Sequence, residues 1–142
     1  MVLKAWVLHL QLNSSSLTYT EIEDNASNLY SNVADLSLAG LTVTVTDSVS
    51  SGETPGNITQ LSEIISSTDG AGSSVVYTRV RDEYSSLASD TSIITDYDVI
   101  ITDDDVTATQ FSTIVGYASS VESGTVVDTV AELTSNQDEN DN

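Results

Sequence analysis

Apolar positions recur along this chain in two rhythms, one of period two and one of period 3.6, and the switches between them mark out the elements. From Leu3 to Leu12 the period is two, with Trp6, Leu8, Leu10 and Leu12 on one side and Ala5, Val7, His9 and Gln11 on the other. That predicts a strand. After a serine-rich turn, Thr20 and Glu23 have the spacing of a capping box, and Ile22, Ala26, Leu29, Val33 and Leu36 make a helical stripe that Gly40 would stop. Leu41 to Val49 alternates again, with Leu41, Val43, Val45 and Val49 set against Thr42, Thr44, Thr46 and Ser48, and Asp47 interrupting the apolar set. This reads as a strand with one buried and one wetted face.

Residues 50–74 read as an excursion between strands. It carries Pro55, the only proline, and a short helix that Asn57 and Gln60 would cap and that bears Ile58, Leu61, Ile64 and Ile65. Ser74 to Val80 predicts a third strand, with Arg79 and Arg81 on one of its faces, and Asp82 to Asp90 allows a turn or more of helix around Tyr84 and Leu87. A strand starting at Ile94 or Tyr97 and running through Ile101 is then predicted, leading into Thr102 and Asp103, Asp104 and Asp105, which are N-cap candidates for a helix striped by Phe111, Ile114, Val115, Ala118 and Val121 and ended by Gly124. Thr125 to Leu133 completes the strands, and residues 135–142 are an acidic tail.

The order β-α-β, helical excursion, β-β-α-β predicts one α+β domain over residues 1–134. Two such halves match a ferredoxin-like or related two-layer sandwich, with a mixed or antiparallel sheet and two main helices on one face. At 142 residues the chain can bury a sizeable core. It has no cysteine and a single histidine, which excludes disulfides, thiolate chemistry and cysteine- or histidine-rich metal sites.

Charge changes the picture most. Twenty-two acids face three basic residues, Lys4, Arg79 and Arg81, for a net charge of −19. Such self-repulsion opposes a compact state and is screened in concentrated salt. Near-absence of lysine beside a Val/Ile/Leu core resembles the proteins of salt-in halophiles such as haloarchaea and their viruses. The same charge argues against nucleic acid and against anionic membranes as partners. Serine and threonine make up 41 of the 142 residues, closer to secreted, surface-layer or virion proteins than to a metabolic enzyme. No stretch reaches the 18 or so apolar residues of a membrane span.

The carboxylates Asp96, Asp98, Asp103, Asp104 and Asp105 form the one constellation with a metal-site alternative, since hard cations want clustered oxygens. The EF-hand spacing fails there, so helix capping and a salt-adapted surface are the expectation. Nonspecific K⁺, Na⁺, Mg²⁺ or Ca²⁺ at the acidic surface is the only cofactor expected. Two glycines, Gly70 and Gly72, lack the lysine of a phosphate-binding loop.

The resulting expectation is a non-enzymatic assembly protein of a halophilic virus particle, a capsid-associated, neck or tail-completion subunit. Its partners would be protein subunits in a homo-oligomeric ring or larger assembly, and its interface candidates are Arg79, Arg81, Pro55 and Ile58. The alternative is a cytoplasmic haloarchaeal domain that binds a small ligand or divalent metal as a regulator. Mass in molar salt discriminates between the two.

Overall fold

The computed structural model describes residues 20–36, 38–49 and 52–128. The strand expected over residues 3–12 with His9, the acidic tail, and the last strand beyond Asp128 lie outside them. The chain divides into two compact units, Met1–Thr78 and Arg79–Asn142.

In the first unit, β1 (Glu21–Asp24), α1 (Ala26–Asn32), β2 (Thr42–Val45), a 3-10 turn over Thr46–Ser48, α2 (Ile58–Thr68) and β3 (Ser74–Val76) follow in order. The sheet order is β1-β2-β3, and both pairings are parallel, with Glu21 level with Thr42 and Thr42 level with Ser74. Helical segments between successive strands carry the chain back to the same end, which makes the pairing parallel. The buried face of β2 is Val43 and Val45, each with no exposed surface, and Leu29, Leu61 and Ile64 from the crossovers are nearly or fully buried as well.

The second unit runs β4 (Arg79–Asp82), α3 (Tyr84–Ser89), α4 (Thr91–Ile94), β5 (Asp98–Ile101), β6 (Asp105–Val106), α5 (Ala108–Val115), β7 (Ser120–Glu122) and β8 (Thr125–Val126). One sheet is ordered β4-β5-β7 and a small one pairs β6 with β8, again all parallel. Val80, Leu87, Ile94 and Ile114 are fully buried and Val99 nearly so.

The α+β class matches the hydrophobic pattern, but among the described residues every strand pair is parallel. This corrects the ferredoxin-like, mixed or antiparallel expectation. In the first unit α2 makes the connection from β2 to β3 a helical crossover rather than an excursion, and helices likewise separate the paired strands of the second unit. Element boundaries also differ: α1 ends at Asn32 rather than running on toward Gly40, and the strand expected over 41–49 is Thr42–Val45 alone. Glu21–Asp24 is a strand, because it finds β2 as a partner, and α1 starts only after Asn25, whose side chain accepts from the Asn28 amide. Thr20 therefore caps nothing. The run expected as one strand over 74–80 is two, in different sheets. α5 stops at Gly116, and Val121, expected on its stripe, lies in β7.

Candidate functional site

In parallel sheets crossed by helices, ligands collect beyond the carboxyl ends of the strands. The ends of β1, β2, β4, β5 and β8 share one construction. Asp24 ends β1, and its Oδ1 accepts from the Asn25 amide at 2.8 Å and from the Asn28 side chain at 2.9 Å. Asp82 ends β4, and its Oδ1 accepts from the Glu83 amide at 2.8 Å. The neighbouring strand supplies a second carboxylate. Asp47 Oδ1 accepts from the Ala26 amide at 3.0 Å, and Asp103 Oδ2 from the Tyr84 amide at 2.6 Å. The third corner follows the same rule, with Asp128 Oδ2 accepting from the Ala108 amide at 2.9 Å.

Register explains why this recurs. Asp24 is level with Val45, Asp82 with Ile101, and Val106 with Val126. Two residues beyond each pair, one strand has become the first residue of a helix and the other presents an aspartate. A first-turn amide has no partner within its own helix, and a carboxylate there also meets the positive end of the helix dipole. Parallel pairing thus delivers the acceptor to the donor.

The two units repeat further details. Ser74 Oγ donates to Thr42 Oγ1 at 3.3 Å, and at the matching register pair Ser120 Oγ donates to Asp98 Oδ1 at 2.6 Å. Asn57 and Gln60 form a reciprocal capping box on α2, as do Thr107 and Gln110 on α5. The Thr78 amide reaches the Ser48 carbonyl, and the Thr125 amide reaches that of Asp104, three residues beyond the matching strand positions. The chain is therefore two variations on one β-α-β-α-β plan.

Its sequence mark is Val/Ile-x-Asp at 22–24, 45–47, 80–82, 101–103 and 126–128, with a leucine five residues after Asp24, Asp82 and Asp128; the same triplet also stands at 33–35 and 94–96, away from the strand ends. This motif was the signal that periodicity alone passed over.

The acids singled out as metal candidates do not converge. Asp103 holds the α3 amide, Asp98 accepts from Ser120, Asp105 is exposed in β6, and Asp96 is exposed in a turn with φ 67°. Among the described residues no three His, Cys, Asp or Glu side chains are grouped so as to hold a metal ion. The capping role expected of Thr102 and Asp103 to Asp105 belongs instead to Thr107, with Asp103 acting on α3. Burial, the largest influence, pushes the Asp47 carboxyl up, Glu53 adds to this, and amides of Ala26, Asp47 and Ser48 oppose it.

Of the interface candidates, Pro55 and Ile58 are buried, whereas Arg79 is half-buried and Arg81 exposed on β4. β4 is an edge strand among the described residues, and so is its counterpart β1. The equivalent positions carry opposite charges: Glu21 and Glu23 on β1, Arg79 and Arg81 on β4. No helix among the described residues is long and apolar enough to cross a membrane. No protein family, curated protein or solved structure matches the chain.

Proposed function

We propose that the chain is a non-enzymatic assembly module that works through contacts with protein subunits, first of all copies of itself, in a high-salt setting. One observation carries this reading: the carboxyl ends of β2, β5 and β8 are filled by the chain's own carboxylates. Asp47, Asp103 and Asp128 each hold a helix amide there, at 3.0, 2.6 and 2.9 Å. The place where such sheets bind ligands is thereby committed to the backbone. Chemistry at the surface is left to the charged edges. The particle of a halophilic virus is the setting that the acidic, lysine-poor, Ser/Thr-rich composition supports.

The test is mass measured by light scattering across protein concentration in molar potassium chloride. A species larger than one chain is expected, growing with concentration. A monomer of 15.0 kDa throughout rules the reading out.

A further inference from the structure

The opposite charges on β1 and β4 go further when the direction of their backbone groups is added. The Thr42 amide donates to the Thr20 carbonyl, and the Thr102 amide to the Asp82 carbonyl. In a parallel sheet one residue sends both its amide and its carbonyl to the same neighbour, and the next residue sends both to the other side. Thr20, Ile22 and Asp24 therefore face β2, and Val80 and Asp82 face β5. The backbones of Glu21, Glu23, Arg79 and Arg81 point to the outer side of their sheets.

Both strands sit at the same end of their sheets, so two such edges meet antiparallel when the apolar faces of both sheets stay on the same side. One register matches every requirement. It sets Glu21 against Arg81 and Glu23 against Arg79 as hydrogen-bonded pairs, with Ile22 against Val80 between them. Opposite charges then lie directly across from each other on one face, an arrangement that stabilises antiparallel pairs. The other face continues the apolar layer: Ile22 is half-buried and Val80 has no exposed surface. Pairing like with like would set Glu against Glu or Arg against Arg, which is unfavourable.

We propose that β4 of one copy of this chain pairs antiparallel with β1 of a second copy, with Arg81 opposite Glu21 and Val80 opposite Ile22. Within one chain the two strands belong to different sheets and do not pair. Arg79 already has an interaction of its own, so Glu21 and Arg81, both exposed, are the pair that decides. Each copy carries one edge of each sign. The contact is therefore head-to-tail and passes from copy to copy. This deepens the assembly reading and rests on it.

The absence of native cysteine gives a clean experiment. Glu21→Cys and Arg81→Cys proteins are mixed under mild oxidant, at the lowest salt at which each keeps the wild-type circular dichroism. The two positions in the proposed register stand within disulfide range. The mixed Glu21→Cys/Arg81→Cys disulfide is expected in excess over either homodimer, and peptide mass mapping identifies it. Excess homodimer, or no cross-link from chains that still self-associate, overturns the edge contact and leaves the assembly reading standing. A wild-type monomer at every concentration removes both.

A charge-reversal set reads the same contact without sulfur. Glu21→Arg alone and Arg81→Glu alone each weaken association about tenfold. The double variant Glu21→Arg/Arg81→Glu restores it to near wild type. Additive loss in the double variant overturns the proposed pairing.

Discussion

Asp103 and Asp104 are neighbours in sequence with unequal roles. The carboxylate of Asp103 holds the Tyr84 amide at 2.6 Å, whereas the Asp104 side chain is exposed and only its backbone carbonyl is engaged. Asp103→Ala leaves an amide at a helix start without its acceptor and is expected to cost about 1–2 kcal/mol. Asp104→Asn is expected to change stability by about 0.5 kcal/mol or less. Urea midpoints of the two variants compare them directly, and equal effects would return Asp103 to the ranks of surface acids. Asp47 makes the parallel contact in the first unit but titrates differently. Its carboxyl lies above the ordinary 3.8, chiefly through burial. The native state therefore binds this proton more tightly than the unfolded chain does. The resulting stability is full below 3.8 and is lost as pH rises through the raised native value. Asp47→Asn has no such proton, so the wild type's advantage over this variant should shrink with rising pH. Urea midpoints of both proteins at several pH values read that difference. An advantage that grows instead would mean that the amides of Ala26 and Ser48 outweigh burial.

At the scale of elements, capping decides where helices begin, and here the sequence was legible unevenly. Asn57 with Gln60 was readable because the capping residue, its partner three positions on and the apolar stripe all agree, and α2 starts as expected. Thr20 with Glu23 offered the same spacing and misled. Glu21–Asp24 is also a short alternating run, and pairing with β2 outweighed the local helix signal. The three aspartates after β5 misled for a related reason. They look like caps for the next helix, yet Asp103 serves the helix before it, a link that exists only once β4 and β5 lie side by side. Parallel order could not be read from periodicity, since an alternating strand such as β2 suits either direction. What did stand in the sequence was the recurring Val/Ile-x-Asp. The corrected α5 boundaries give two tests. Thr107→Ala removes half of a capping box and should cost about 1 kcal/mol, while Thr102→Ala should fall within about 0.5 kcal/mol. Gly124→Ala would set a Cβ 2.8 Å from the Asp104 carbonyl oxygen, a backbone atom, and should cost about 1–3 kcal/mol. Gly116→Ala meets nothing closer than 3.4 Å at φ −66° and should stabilise by about 0.4–1 kcal/mol. Thermal melts of the four variants place the start and stop of α5.

At the scale of the molecule, the net charge of −19 must be reconciled with a parallel sheet in each unit. The corner acids contribute little to the conflict, because Asp24, Asp47, Asp82, Asp103 and Asp128 each accept hydrogen bonds from amides. The repulsion comes from the remaining exposed carboxylates, against which the chain sets three cationic side chains. At about 0.15 M salt the Debye length is about 8 Å, so neighbouring surface acids still repel; at about 1 M it is about 3 Å, and most of that repulsion is gone. Helical circular dichroism should therefore rise with potassium chloride and level off near molar concentration, and the urea midpoint should move with it. Screening also weakens the exposed Glu21–Arg81 pair across the proposed edge contact, whereas its backbone ladder is insensitive to salt. Folding and association should consequently part company: as salt rises, folding saturates while the charge-reversal penalty on association declines. A salt series on wild type and Arg81→Glu, read by circular dichroism and light scattering on the same samples, separates the two. Folding that is complete and unchanged in dilute buffer would show that screening is not what holds this acidic chain compact, and would remove the halophilic setting with it.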